Sequence, residues 1–385
     1  MYDRREEVEA LGAHEDPDFA KLMASIAAGT ANSNDLRTML LTMPFIDLIK
    51  LWQAQPQIPN LPDTPTEFTL KTTMRDGHVG EVRVYKPRTT TTAEQQTTKK
   101  TALVVLIHGG GYHIGHWSHF ATPARALAHL YGVTVCSVSY RLAPQHPFPT
   151  APHDVWDSLS WLVSDAGLAA LGGDVDPAGE GFVVGGASAG SNLAAVVTQK
   201  SALLSAGVAA AGATADEGKL ASPITGLWLS LHAMYDETTV PDKYRHLWFS
   251  REQNATAAVI DTKGHDYILA SYQSDPKSPD YCPGYGQGEA APGKMPPTYF
   301  QVCGGDPLRD DGLVYEKVLG DAGVRTRLDV YPGVPHGFGE LTDIPLALKS
   351  QRDTLRGFAW LLGKEEPSDE ECVAARKTAL EMDSP

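Results

Sequence analysis

From residue 102 onward the chain alternates unbroken apolar runs with helical patterns, and few architectures accommodate both. The runs are ALVVLIH, TVCSVSY, FVVGGAS, GLWLSL, TYFQVCGG and TRLDVYP. Between them lie ATPARALAHLYG, DVWDSLSWLVSDA, SNLAAVVTQKSALL and DGLVYEKVLGDAG, which read as helices. A strand that is apolar on both sides must be covered on both sides. The pattern therefore predicts an α/β fold with a mostly parallel central sheet flanked by helices. With 385 residues the chain can bury a core of that size.

The flanking segments add detail. EFTLKTT and GEVRVYKP alternate apolar and polar residues around RDGH, a hairpin signal. Residues 1–60 read as amphipathic helices. DFAKLMASIAA comes first, followed by NDLRTMLLTMPFIDLIKLW, where Asn34 and Asp35 suit a helix start and Leu36, Met39, Leu40 and Met43 recur along one face. The proline-rich PQIPNLPDTP (56–65) is a linker, PRTTTTAEQQTTKKT a solvated loop, and SAGVAAAGATADEGKLAS (205–222) a surface connection. Between the strands at 226 and 298 lies an insertion of roughly fifty residues or more, with REQNATAAVI and HDYILASYQ read as helical. Excursions of that length usually cover a site. The expected organisation is N-terminal cap helices (1–60), a core (61–232), a cap insertion (233–280), the second part of the core (281–363) and a charged tail (364–385).

Composition narrows the partners. A net charge of −15 argues against nucleic acid or an anionic membrane surface. The longest aliphatic run, ALVVLI, is too short to span a bilayer, and MYDRREEVEA lacks the apolar stretch of a secretory signal. Cys136, Cys282, Cys303 and Cys372 show no C-x-x-C spacing, which points to reduced thiols and a cytoplasmic protein, with Cys136 and Cys303 as small apolar strand residues. The NAT sequon at 254–256 is then a chance match. None of the 13 histidines falls in a metal-ligand spacing, so neither a metal nor a cofactor is expected. A homodimer is left open.

Four short motifs carry the chemistry. In VGGASAGSN, Ser188 ends the strand FVVGGA and opens the next helix, with Gly186 and Gly190 sparing a sharp turn from Cβ clashes. GGDPLRDDG puts Asp306 just past one strand, and VPHGF puts His336 past the next, so a serine, a carboxylate and an imidazole follow in that order at strand ends. In HGGGY, three glycines free backbone N–H groups to face an oxyanion. The stretch lacks both G-x-G-x-x-G and the Walker Lys-Ser/Thr of phosphate loops. Asp310 and Asp311 compete with Asp306 but sit where acidic residues favour a helix start. His113 and His116 could line a pocket or simply pack, and His146 reads as a loop residue.

Together HGGGY, YRLAPQHPFPTAPHD, GASAG, DPLRDDG and HGF resemble the hormone-sensitive-lipase-like carboxylesterases, an α/β-hydrolase family. The similarity runs over about residues 102–363. It implies an α/β-hydrolase fold with a helical cap, Ser188 as nucleophile, His336 as general base and acid, Asp306 as its orienting carboxylate, and an oxyanion hole of the Gly110, Gly111 and Ala189 amides. Two positions depart from the family pattern. Ala187 stands where Asp or Thr is common, and Gln145 where Glu is usual. Plant gibberellin receptors share the fold but lack the histidine retained here as His336. The expected activity is hydrolysis of a small ester with a short acyl chain or an aromatic group, with Tyr112 and Trp117 contributing to an apolar substrate pocket. A dehydratase, cyclase or acyltransferase on the same scaffold is the alternative, and a non-catalytic small-molecule receptor a more distant one.

Overall fold

The computed structural model describes residues 2–30, 36–56, 61–87, 100–210, 217–288, 290–341 and 344–382. Eight strands form one sheet among these residues: β1 (Glu67–Thr73), β2 (Val79–Tyr85), β3 (Leu103–Ile107), β4 (Thr134–Val138), β5 (Phe182–Ala187), β6 (Gly226–Ser230), β7 (Thr298–Cys303) and β8 (Thr326–Tyr331). Their spatial order is β1-β2-β4-β3-β5-β6-β7-β8. β1 and β2 form an antiparallel hairpin that turns at RDGH as expected, β2 pairs antiparallel with β4, and the remaining pairings are parallel.

The apolar runs explain this arrangement. Every residue of β3 is buried, and alternate side chains feed two cores. Leu103, Val105 and Ile107 join Cys136 and Val184 on one side, while Val104 and Leu106 join Val135, Val183 and Trp228 on the other. Helices close both sides. N-terminal helices α1 (Arg5–Ala10), α2 (Pro17–Ala27), α3 (Leu36–Thr42) and α4 (Phe45–Ala54) precede the sheet. α5 (Ala121–Tyr131) covers one face, whereas α6 (Thr150–Leu162), α7 (Asp165–Ala170) and α8 (Ala189–Ser205) lie on the other. The insertion carries α9 (Ser250–Gln253) and α10 (Thr262–Tyr272). α11 (Arg309–Asp321) returns to the α8 face, and α12 (Pro345–Leu361) and α13 (Asp369–Glu381) to the α5 face. Parallel pairing leaves the β3, β5, β6, β7 and β8 C-terminal ends along one rim, where the chemistry-bearing loops collect.

Several local expectations change. NDLRTMLLTMPFIDLIKLW is two helices, because Pro44 disfavours helical geometry at Met43 and stands at the start of α4. The buried residues of α4 are Leu48 and Ile49. In α3 the deeply buried positions are Thr38 and Leu41, with Met39, Leu40 and Met43 only partly covered. REQNATAAVI is helical only as far as Gln253. The Asn254 amide instead donates to the Gly304 and Asp306 carbonyls, at 3.1 and 2.9 Å, which turns the chain away from the helix axis. The segment 364–385 is more than a charged tail. Ser368 and Glu371 form a capping box, and Cys372, Ala375 and Ala379 lay a small apolar stripe of α13 against α5. All four thiols are buried and unpaired, Cys136 in β4 and Cys303 in β7. Asn34 and Asp35, residues 88–99 of the threonine-rich stretch, and parts of the 56–65 and 205–222 connections lie outside the described residues.

Candidate active site

Ser188 sits at the sharp turn between β5 and α8 with φ 55° and ψ −124°, a strained conformation for a residue with a side chain. Its N–H donates to the Ser230 carbonyl at the end of β6, 2.8 Å away, which pins the turn to the neighbouring strand. The flanking glycines answer to crowding. A Cβ on Gly190 would stand 2.0 Å from the Ile107 carbonyl oxygen, and one on Gly186 2.3 Å from that of Gly190. The G-x-S-x-G spacing is thus what lets α8 start against β3.

Three of the sequence-predicted residues come together. His336 donates from Nδ1 to Asp306 Oδ2 at 2.7 Å, because a carboxylate only accepts. Its Nε2 is left to accept from Ser188 Oγ, 2.9 Å away. Asp306 is held in turn. Its Oδ1 accepts from Leu308 N–H at 2.8 Å, while its carbonyl takes the Asn254 amide. Asp306 and His336 are buried and Ser188 is half-buried, so a substrate reaches the hydroxyl rather than the carboxylate.

Asp310 and Asp311 do not meet His336. Asp310 accepts from the Phe249 and Ser250 N–H groups and from Arg309, and Asp311 from Met234 N–H, Trp248 Nε1 and Arg251. Both carboxylates fasten the insertion to α11, a role that the helix-dipole reading did not include.

The glycine loop after β3 lies beside Ser188, with a Cβ on Gly109 only 3.1 Å from Ser188 Cβ. Gly110 and Gly111 have φ of 109° and 59°. His113 Nδ1–H donates to the Gly111 carbonyl at 2.6 Å, and its Nε2 lies 2.7 Å from Ser271 Oγ of α10, so this ring ties the loop to the insertion. His108 Nδ1–H donates to the Gly109 carbonyl, and its ring stacks on Tyr140. Tyr140 and the Arg141–Asp154 ion pair make YRLAPQHP a brace behind the loop, with Gln145 and His146 exposed on its outer side. Ala189 is the first residue of α8 and is buried.

A cavity of about 490 Å³ opens next to this site. It runs from Gly305 and Pro335, the neighbours of Asp306 and His336, out to Phe19, Met23 and Phe45 of α2 and α4 and to Val259 and Asp261 of the insertion. The expected wall residues lie elsewhere. Tyr112 is stacked flat on Tyr272 with ring centres 4.0 Å apart, and Trp117 is engaged at the β2–β4 edge with Glu81, Arg83 and Ser139. His116 caps the turn that begins at Trp117. Among the described residues no group of three His, Cys, Asp or Glu is placed to hold a metal ion, and no helix is long and apolar enough to cross a membrane.

Two imidazoles that sequence reasoning passed over also stand near the site. His232, just past β6, has neither ring nitrogen partnered, and His265 of α10 has an unpartnered Nε2. Burial pushes His108 and His265 down to about 3 and His232 to about 4, from an ordinary 6.5. These rings stay neutral in the folded protein while the unfolded chain protonates them near pH 6.5. The unfolded state therefore binds more protons below that pH, and stability should fall as the pH drops from 6.5 toward 4. Each ring contributes up to ~1.4 kcal/mol per pH unit. Urea midpoints measured across that range check this, and a midpoint that holds constant contradicts it.

Comparison with known proteins follows the same lines. A family model described as alpha/beta hydrolase fold matches residues 104–340. The chain is 31% identical over 361 residues to an AB hydrolase superfamily protein of Schizosaccharomyces pombe, an alignment covering 92% of this chain and 96% of that one. It is 30% identical over 286 residues to an ethyl acetate hydrolase of Pseudomonas putida, covering 74% and 78%. Among solved structures, vibralactone cyclase superposes with a TM-score of 0.71 at 27% identity, covering 92% of this chain and 96% of that one.

Proposed function

The chain belongs to the α/β-hydrolase family of hormone-sensitive-lipase-like esterases, and within it we propose a serine carboxylesterase whose nucleophile is Ser188. The observation that carries the reading is the unbroken chain from Ser188 Oγ through His336 to Asp306, at 2.9 and 2.7 Å. Its closeness to the glycine loop and its similarity to an ethyl acetate hydrolase support it further.

Ser188 Oγ adds to the acyl carbonyl carbon as its proton passes to His336 Nε2. Asp306 stabilises the imidazolium so formed, and the Gly110, Gly111 and Ala189 N–H groups hold the oxyanion. Collapse of the adduct breaks the bond to the alkoxide, which takes the proton from His336 and departs as alcohol. Water then attacks the acyl-enzyme and gives its proton to His336. Ser188 leaves with that proton restored, and the carboxylic acid is released. A cavity of about 490 Å³ walled by Phe19, Met23 and Phe45 suits a short acyl chain or an aromatic group. Four buried unpaired thiols suit a reducing compartment such as the cytoplasm.

The likeness to vibralactone cyclase favours one further reading, in which an internal hydroxyl rather than water accepts the acyl group. Both readings pass through an acyl-enzyme, so they share a test. A fluorophosphonate should add its phosphonyl mass to the peptide carrying Ser188 and abolish turnover. An unmodified Ser188 in active protein rejects covalent catalysis there, and the products formed from candidate esters then separate hydrolysis from cyclisation.

A further inference from the structure

The strap between α1 and α2 crosses both loops that carry the acid and the base. Leu11 caps the end of α1, and its carbonyl accepts from Gly333 N–H at 2.8 Å. At the other end of the strap, Asp16 N–H donates to the Gly333 carbonyl at 2.9 Å. Gly333 precedes Pro335 and His336, so the strap grips the His336 loop by both backbone groups of one residue. It presses on the Asp306 loop as well. A Cβ on Gly304 would stand 2.1 Å from the Leu11 carbonyl oxygen, and one on Gly12 2.7 Å from the Gly304 carbonyl oxygen. The two loops are also joined to each other. Gly304 N–H donates to the Tyr331 carbonyl at 2.7 Å, and Gly305 N–H to that of Val334 at 3.0 Å.

The strap is itself fixed. Val8 and Leu11 are buried in the larger core, and the Arg5 guanidinium lies 4.1 Å from the centre of the Phe249 ring. Gln253 donates from Nε2 to the Glu9 carbonyl at 2.8 Å and accepts at Oε1 from Arg309 at 2.8 Å. Gly12, His14 and Glu15 also line the cavity, but lining it requires no backbone clasp on two loops. We propose that residues 11–16 are a positioning element, in which Leu11 and Gly12 hold the Asp306 and His336 loops at the separation that keeps the 2.7 Å bond between those side chains. The acid and the base come from different strands, β7 and β8, so their spacing depends on what spans the two loops. Gly12 lies outside the left-handed region, and only the close approach to Gly304 calls for a glycine there. The inference rests on the triad reading above and deepens it.

Gly12→Ala and Gly12→Val test it with p-nitrophenyl acetate, whose small acyl group depends least on the cavity wall. Gly12→Val should lower kcat by about thirtyfold and Gly12→Ala by about fivefold, with KM within about twofold of wild type, because small displacements of reacting groups are costly. In an Asp306→Asn background the bond is already impaired, and Gly12→Val should there cost less than about threefold. A change confined to KM marks a cavity wall and overturns the proposal. Unchanged kinetics, or an equal loss in both backgrounds, overturns it too. If the Gly12 variants do not fold, Asp16 decides. Its φ of −56° suits proline, and both Asp16→Ala and Asp16→Pro lose the side-chain cap of α2. Only Asp16→Pro also loses the N–H bonded to Gly333. Its kcat should fall about tenfold below that of Asp16→Ala, and equal values overturn the proposal. Ser188→Ala separates the two levels: hydrolysis that persists in it defeats the triad reading, whereas the Gly12 and Asp16 comparisons bear only on the strap.

Discussion

Replacing Ser188 with alanine should lower kcat for p-nitrophenyl butyrate by about five to six orders of magnitude, with KM little changed. The loss is this large because Oγ forms the covalent bond and no neighbouring side chain can substitute for it. The fold should survive, since alanine keeps the Cβ and so the same strained φ of 55°. Equal thermal midpoints for the two proteins would show that. His336→Ala should cost nearly as much, and Ser188→Ala/His336→Ala little more than either alone, because the two groups act as one unit. Asp306→Asn should cost less but still several orders, as an amide accepts from His336 poorly and favours the wrong tautomer. Hydrolysis by Ser188→Ala at a rate near wild type would refute the assignment, and additive losses in the double variant would refute the coupling.

What sequence could read here followed from physics that is local in the chain. Apolar runs specify buried parallel strands. The crowding at Gly186 and Gly190 arises within a few residues of Ser188 and against the adjacent β3, so the motif itself carries it. Chain order placed Asp306 and His336 because successive parallel strands end on one rim. Partners distant in sequence were not legible. Asp310 and Asp311 look like ordinary helix-start acids until the insertion, some sixty residues earlier, is seen bonded to them. Tyr112 and Trp117 follow that loop in sequence, which suggested a pocket wall. The backbone at Tyr112 has φ 63° and sends its ring against Tyr272 instead. The docking of α13 depends on a stripe of Cys and Ala too weakly apolar to stand out from its acidic neighbours.

The second large effect concerns Asp311, and it should appear in stability before it appears in chemistry. Asp311 is fully buried and accepts four hydrogen bonds, from Met234 N–H at 2.9 Å, Trp248 Nε1 at 2.6 Å and Arg251 at 3.1 and 2.9 Å. Asp311→Ala strands the largely buried Arg251 guanidinium, which lies over the Trp248 ring, with only the Tyr235 carbonyl left to it. An uncompensated buried charge costs about 3–5 kcal/mol, a large share of a typical domain's total stability. The pair itself need not be stabilising, since desolvating both ions consumes much of their attraction. The double variant Asp311→Leu/Arg251→Met should therefore recover much of what Asp311→Ala loses. Urea unfolding of the three proteins measures the difference, and a double variant no more stable than Asp311→Ala would disprove the uncompensated-charge mechanism. The kinetic consequence follows from the geometry. Arg251, Asn254 and α10 belong to one insertion; Asn254 holds the Asp306 carbonyl, and Ser271 of α10 holds His113 behind Gly111. Loosening the insertion at Asp311 should thus lower kcat/KM in the surviving folded fraction, while Ser188 still takes up the fluorophosphonate.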